Sequence, residues 1–162
     1  MPGPQGARNP SIAPFEPYEA GDGYVVLAAG NDALFRKLTE VLGRPELGDD
    51  PRFLTNTGRT GNVEALKAEL EAALKTKPRA HWLKVLEAAG IPCGPINNIE
   101  EVVTDPHVLA RNMLVRVDDP VAGQLRTTGS PIKVDGFADP DTRGPAPELD
   151  EHREEILREL GS

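Results

Sequence analysis

The residues of this chain that could carry chemistry are one cysteine, three histidines and several aspartates beside turns. Cys93 lies between prolines and glycines in Gly-Ile-Pro-Cys-Gly-Pro, residues 90–95. A thiolate nucleophile needs a nearby base or a helix N-terminus to lower its pKa. The histidines His81 and His107 are far away in sequence, which decides nothing. Because free cysteines are among the most buried residues, we interpret Cys93 as a small residue packed in a tight segment.

The histidines show none of the spacings that are typical of a metal site. His81, His107 and His152 occur without an HxH, HExxH or CxxC pattern, so we predict no bound metal. His81 is expected on the exposed side of a helix beside Trp82. His107, in Asp-Pro-His, is expected to order a turn.

Three aspartates, Asp105, Asp118 and Asp119, stand next to predicted turns. Aspartate is common in turns because its side chain accepts hydrogen bonds from nearby backbone amides. A catalytic carboxylate would need a perturbed pKa in a cleft, which the sequence does not indicate here. The residues alone therefore predict no catalytic centre in this chain.

Length and composition limit the possible classes of protein. The 162 residues fit one domain or a compact domain with a tail. The net charge of −8 argues against a nucleic-acid partner. A single cysteine is compatible with a reducing cytosol, and no apolar stretch or signal-peptide pattern predicts a membrane partner. We expect a soluble, cytoplasmic protein.

The elements that would position these residues begin with a hairpin and a helix. Phe15 to Tyr18 and the run 24–29 read as two strands joined by Gly21-Asp22-Gly23. The second run lacks alternation, so we expect both of its faces to be covered. Asn31 is the predicted N-cap of a helix that Gly43 ends.

Two further helices are predicted after a loop at residues 45–57, from which Phe53 and Leu54 should anchor into the core. The first begins near 60–62 and runs to about 76. The second has Pro78 in its first turn and ends at Gly90. Their predicted buried stripes are Val63, Leu66, Leu70 and Leu74, and Trp82, Leu83, Leu86 and Ala89.

The rest of the chain reads as short elements. Residues 91–96 should form an edge strand or a covering loop, because two prolines remove amide donors. Asn97 or Asn98 can cap a short helix, and Asp105-Pro106 opens another helical turn. Residues 113–117 and 124–128 should pair as a hairpin across a six-residue connection. Asp150 is the predicted cap of the last helix.

These elements predict an α+β fold, in which a small antiparallel sheet packs with helices and is followed by a β-hairpin, a proline-rich strap and a C-terminal helix. We divide the chain into an extended lead-in at 1–14, a small α+β domain at 15–112, and a hairpin, strap and helix at 113–162.

Several stretches, in this order and spacing, closely resemble family III CoA-transferases, the group of the formyl-CoA, carnitine and bile-acid CoA-transferases. Most characteristic are Gly90-Ile91-Pro92-Cys93-Gly94-Pro95, Asp105-Pro106-His107 and Ala110-Arg111. The resemblance covers almost the whole chain, and its other motifs are Asn9-Pro10 to Pro14, Tyr18, Asp22-Gly23-Tyr24, Asp50-Pro51-Arg52-Phe53, Arg59, Gly129-Ser130-Pro131-Ile132-Lys133 and Pro147 to His152.

The resemblance implies that the chain corresponds to the C-terminal portion of such an enzyme. The family's nucleophilic aspartate lies upstream of the residues present here, so the fragment alone is expected to be inactive. The family's glycine-rich loop near the acyl site corresponds to the lead-in, where Gly6, Arg8 and Asn9 are the candidate acyl-site-facing residues. The family usually has glycine where Asp150 stands.

By the same resemblance, the whole enzyme would transfer coenzyme A from an acyl-CoA thioester to a carboxylic acid through an aspartyl-CoA thioester. Residues 113–162 would return towards a large domain, and the whole protein would be an interlocked homodimer. Two alternatives stay open: a portion of an α-methylacyl-CoA racemase of the same family, and a non-catalytic binding or dimerisation module.

Overall fold

The computed structural model describes residues 6–161. They form two compact units, the first ending at Ile96 and the second beginning at Asn97. The functional domains predicted from the sequence, with limits at 14 and 112, stay a prediction. None of the helices in the described part of the chain is long and apolar enough to cross a membrane.

The first unit is built on a three-stranded antiparallel sheet of β1 (Phe15–Ala20), β2 (Gly23–Ala28) and β3 (Cys93–Pro95), in that order. Tyr18 pairs with Val25 across the predicted hairpin, and both are fully buried. The expectation that both faces of β2 are covered was wrong, because Tyr24 is 48% exposed. Helices cover one face of this sheet, as is common for antiparallel sheets.

Helix α1 (Asp32–Val41) follows β2, as predicted. The Asn31 side chain accepts a hydrogen bond from the Leu34 amide at 2.8 Å, which satisfies one of the free N–H groups of the first turn. Phe35 and Leu38 of this helix are buried in the core of the unit. Gly43 ends the helix with a positive φ of 69°.

The segment predicted as a loop at 45–57 contains a 3₁₀ turn (Pro45–Gly48) and the start of α2 (Asn56–Gly61). The sequence of α2, NTGRTG, has no apolar residue, so a hydrophobic pattern could not indicate it. Thr55 caps it by accepting from the Gly58 amide at 3.1 Å. Phe53 anchors this segment in the core, whereas Leu54 is 40% exposed, contrary to the prediction.

Helices α3 (Val63–Leu74) and α4 (Arg79–Ala88) carry the two predicted apolar stripes. Leu66, Leu70 and Leu74 are fully buried, and so is Leu86 of α4. The indole Nε1 of Trp82 donates to the Leu74 carbonyl at 2.6 Å. Pro78 differs from the prediction: it is the N-cap, with an extended ψ of 154°, and the helix begins one residue later.

The second unit contains α5 (Ile99–Thr104) and α6 (Pro106–Ala110), which Asn98 and Asp105 cap. Strands β4 (Leu114–Asp119) and β5 (Gly123–Thr128) form the predicted hairpin, but their turn is only three residues long because both strands extend further. The strap adds β6 (Thr142–Arg143), parallel to β4, which the sequence did not indicate.

The last helix, α7 (Arg153–Glu159), is preceded by His152 in the N-cap position. The prediction that Asp150 caps it was wrong, because Asp150 has a positive φ of 69° and lies before the cap. The left-handed region favours glycine, the residue that the resembling family usually has there.

Candidate functional site

The lead-in holds the predicted site residues, and two ion pairs hold Arg8 in place. Arg8 Nε lies 3.1 Å from Glu16 Oε1, and its Nη2 lies 2.7 Å from Glu64 Oε1. The hydrogen bond to Glu64 is the main reason why the pKa of Arg8 is raised. Gly6 is exposed, with a φ of 65° and open space on its Cα. Arg8 is therefore a positioned cation, whereas Gly6 has no contact that would place a ligand.

Asn9 shapes the lead-in through its own backbone neighbours. Its side-chain oxygen accepts a hydrogen bond from the Ser11 backbone amide at 2.9 Å, and its own backbone N–H donates to the Phe15 carbonyl at 3.0 Å. Arg8 and Asn9 line a small cavity of about 100 Å³ together with Pro10, Ala13, Thr60 and Val63. The structure thus brings together two of the three predicted residues.

Glu16 is the buried acid that the sequence did not single out. Its side chain is 5% exposed and lies between Arg8 and Lys67, whose Nζ is 2.9 Å from Glu16 Oε2. Lys67 also donates to the Pro17 carbonyl at 3.2 Å. Since a buried carboxylate is costly without partners, the two cations are what allow Glu16 to face the core from β1.

Asn56 of α2 forms two hydrogen bonds with the backbone of the lead-in. Its Oδ1 accepts from the Ala13 amide at 3.1 Å, and its Nδ2 donates to the Ser11 carbonyl at 2.8 Å. One primary amide therefore satisfies two backbone groups of an irregular segment, which would otherwise depend on water.

Arg59 is the second residue of α2 that holds the lead-in, and its side chain is fully buried. It donates to three backbone carbonyls, with distances of 2.7 Å to Ala13, 3.0 Å to Phe53 and 2.7 Å to Gly30. It also pairs with Asp32 at 2.9 Å. The guanidinium thus ties the lead-in to the loop before α2 and to the junction of β2 and α1.

A mostly apolar cleft of about 450 Å³ lies where the lead-in meets this junction. Its lining includes Ile12, Phe15, Gly30, Leu34 and Asn56. A Cβ on Gly30 would lie 1.9 Å from Cγ2 of Ile12, so a larger residue would force the Ile12 side chain to move. The cleft can accept a small apolar group beside a fixed backbone.

The residues first considered for chemistry have structural roles. Cys93 is half-buried in β3, and burial raises the pKa of its thiol, which disfavours the thiolate that a nucleophile needs. Asp105 accepts from the amides of His107 and Val108. Hydrogen bonds from the Ala122 and Val121 amides lower the pKa of Asp119.

The histidines form no metal-binding group among the described residues. His81 is exposed, and its ring meets Trp82 edge-on with 5.1 Å between centroids. Among the described residues, no three histidine, cysteine or acidic side chains are grouped in a way that could hold a metal ion.

The sequence model of CoA-transferase family III matches residues 1–153. The chain therefore belongs to CoA-transferase family III, which confirms the resemblance seen in its motifs.

Individual relatives agree with this assignment. The acetyl-CoA:oxalate CoA-transferase of Acetobacter aceti is 43% identical over 157 residues, which are 97% of this chain and 39% of that protein. The human succinyl-CoA:glutarate CoA-transferase is 32% identical, over 96% of this chain and 35% of its own length. The chain thus spans well under half the length of these relatives.

A solved structure confirms the α+β fold. The crystal structure of a CAIB/BAIF family protein from Brucella suis superposes with a TM-score of 0.77 at 38% identity. The match covers 98% of this chain and 40% of the Brucella chain.

Proposed function

We propose that this chain is the C-terminal, small-domain portion of an acyl-CoA:carboxylate CoA-transferase, inactive by itself. One observation carries this proposal: two relatives whose names state CoA transfer to oxalate and to glutarate match 96–97% of this chain with only 35–39% of their own length. In the whole protein, the substrates are an acyl-CoA thioester and a carboxylic acid, the location is cytoplasmic, the assembly is a homodimer, and no metal takes part.

The proposed reaction proceeds through an aspartate outside this chain. Its carboxylate attacks the thioester carbonyl, and the C–S bond breaks. The CoA thiolate departs, and a mixed anhydride of the acyl group and the aspartate forms. The thiolate then attacks the aspartyl carbon and releases the donor acid, so that an aspartyl-CoA thioester forms. The acceptor carboxylate then attacks the aspartyl-CoA thioester and forms a second mixed anhydride. The released CoA thiolate attacks the acceptor carbonyl, which gives the new acyl-CoA and frees the aspartate.

The contribution of this chain is a rigid lead-in that borders the acyl group. Hydrogen bonds of 2.7–3.1 Å fix that segment to other parts of the first unit: Arg8 bonds out to Glu16 and Glu64, whereas Asn56 and Arg59 bond to its backbone. A segment held in this way keeps its geometry when substrate arrives, and pre-organisation is what positioning of reactants requires. The apolar cleft beside Ile12 offers room for part of an acyl group.

A chimaera tests the proposal. This chain replaces the matching segment of the Acetobacter aceti transferase, and the chain alone serves as control. We expect the chimaera to transfer CoA from acetyl-CoA to oxalate, and the chain alone not to transfer it. Mass spectrometry after incubation with acetyl-CoA should locate a CoA thioester on an aspartate outside this chain. Transfer by the chain alone at the rate of the intact enzyme, or a thioester on one of its own acids, would contradict the proposal.

The sequence that precedes this segment in the natural protein tests the racemase alternative, because it should hold either the transferase aspartate or the acid–base pair of a racemase. Tight CoA binding by the chain alone, with no activity in the chimaera, would support a binding module.

A further inference from the structure

The second unit contains a cleft of about 440 Å³ between the end of α6 and the strap, here named the strap cleft. Its polar wall includes Arg111, Lys133, Asp139 and Arg143, and Phe137 belongs to its apolar wall. The volume is in the range of about 300–1,000 Å³ that is usual for small-molecule sites. The lining residues that the structure describes all belong to the second unit.

The strap cleft is positively charged although the whole chain carries a net charge of −8. Arg111, Lys133 and Arg143 face a single carboxylate among the described lining residues, Asp139. Asp139 hydrogen-bonds to Lys133 and lies 3.9 Å from Arg143 Nη2. The pKa of Asp139 is lowered, chiefly by the hydrogen bond from Lys133, with smaller contributions from Asn112 and Arg143. The cleft therefore keeps an excess of two positive charges.

The two arginines keep donors for a further partner. Arg111 donates through Nη2 to the Pro131 carbonyl at 3.3 Å, and this bond uses one of the five N–H groups of a guanidinium. The 3.9 Å between Arg143 and Asp139 is beyond hydrogen-bond distance. Guanidinium groups suit phosphate and carboxylate because they can donate two parallel hydrogen bonds to one anion.

The apolar wall of the strap cleft favours a ligand that has an apolar part beside its charged groups. Phe137 is 79% exposed and Ile132 is 75% exposed. A flat or aliphatic group could cover both of these side chains while its charges reach the arginines. An inorganic anion would leave that wall in water, so an organic ligand fits the cleft better.

We propose that the strap cleft binds an organic anion with at least two negative charges, of the phosphate or carboxylate class, with its apolar part against Phe137. No step of the proposed CoA transfer uses this cleft, so the inference goes beyond that function. Two sources share the chemistry, namely a nucleotide-type phosphate, as in coenzyme A, and a free dicarboxylic acid.

Calorimetric titration of the 162-residue chain at low ionic strength tests the proposal, with ADP, coenzyme A and glutarate as probes. We expect saturable binding that Arg111→Gln and Arg143→Gln each weaken about fivefold or more. Arg126→Gln is the matched control, because it removes the same charge from the exposed strand β5, away from the cleft. Asp139→Asn should tighten binding several-fold, since it removes the carboxylate that competes for Lys133 and Arg143.

The opposite signs of these effects separate binding from misfolding, because a variant that merely unfolds the strap can only weaken binding. Circular dichroism of each variant checks the fold independently. Binding of ADP and coenzyme A without glutarate identifies a phosphate ligand, and the reverse identifies a dicarboxylate. Absence of saturable binding for all three probes, or equal weakening by Arg126→Gln and Arg143→Gln, overturns the proposal.

Discussion

Tyr18 places a polar group in the core of the first unit without satisfying it. Its side chain is fully buried, and its hydroxyl forms no hydrogen bond with any described residue. Lys67 Nζ lies 5.6 Å from the ring centroid, a cation–π contact that phenylalanine would keep. An unsatisfied buried hydroxyl costs about 1–3 kcal/mol, so this tyrosine stabilises the fold less than phenylalanine would.

We expect Tyr18→Phe to raise the free energy of unfolding by about 1 kcal/mol at neutral pH. Burial raises the pKa of Tyr18 above the value near 10 of an unfolded tyrosine. A raised pKa in the folded state means that the stability is complete below pH 10 and falls as the pH rises further. Urea unfolding followed by the fluorescence of the single tryptophan, Trp82, measures both effects.

Tyr24→Phe is the control for this substitution, because Tyr24 is 48% exposed on the outer face of β2. It should leave the stability at neutral pH and the alkaline decline unchanged. A loss of more than about 1 kcal/mol in Tyr18→Phe would show that the hydroxyl has a partner, such as a buried water.

Arg59 is the opposite case, a buried charge whose guanidinium donates to three backbone carbonyls and to Asp32. Arg59→Met should lower the free energy of unfolding by about 3–5 kcal/mol, because it leaves these three carbonyls, two of them in buried bonds, without this donor. Arg52→Met is a matched control, because Arg52 lies 4.7 Å from the ring centroid of Phe53, as Arg59 does from that of Phe35, but the Arg52 side chain is 48% exposed. Its exposed pairing with Asp50 should contribute little to the free energy of unfolding. Similar losses in the two variants would rule out the structural role of Arg59.

The site shows why residue roles are harder to predict than residue types. Arg8 and Asn9 lie in the lead-in, which corresponds to a family loop, so the sequence could suggest them. The family motifs also include Arg59, but no motif indicates which groups Arg59 or Glu16 contacts. Arg59 donates mainly to backbone carbonyls, which every residue carries, so no sequence pattern marks its acceptors.

At the scale of elements, the hydrophobic pattern predicted those that bury a stripe or a face. The spacing of apolar residues, together with capping and turn residues, predicted the hairpin of β1 and β2 and the helices α1, α3 and α4. The missed elements, α2 and β6, have no apolar pattern of their own. Strand β6 is two residues long and exists through its pairing with β4, a tertiary contact that a local pattern does not contain.

The end of β5 depends on a close backbone approach that can be tested. Gly129 donates its amide to the Met113 carbonyl at 2.8 Å, and a Cβ at Gly129 would lie 2.2 Å from the Asn112 carbonyl oxygen. We expect Gly129→Ala to destabilise the second unit by about 2 kcal/mol or more, because backbone must move. Hydrogen exchange of the β4 and β5 amides measures this loss.

Gly144→Ala in the strap is the matched control, since nothing lies within 4 Å of its Cβ position. It should change the exchange of these strands by less than the equivalent of about 0.5 kcal/mol. Unchanged protection in Gly129→Ala would mean that the approach of Asn112 to Gly129 is not required for the hairpin.

At the scale of the whole molecule, the two units differ in how much apolar surface they bury. The first contains a core of fully buried residues from the sheet and from α1, α3 and α4. In the described part of the second unit, Val115 is the one hydrophobic residue that is buried. Exposed apolar side chains there include Ile99, Leu149 and Leu160, at 79%, 99% and 73%. The family assignment is consistent with this difference, since relatives match the chain with only 35–39% of their own length.

This difference predicts that the second unit opens far more readily than the first. Burial of apolar surface is the main source of stability, so amides of β5 and α7 should exchange through local opening at a small free-energy cost. Amides of β2 and α3 should exchange only through unfolding of the first unit. Native-state hydrogen exchange of the 162-residue chain, compared with the chimaera proposed above, measures both. If the rest of a transferase covers the exposed apolar residues, protection of the second unit should rise in the chimaera, whereas that of β2 should change little. Equal protection of both units in the isolated chain would contradict the burial argument.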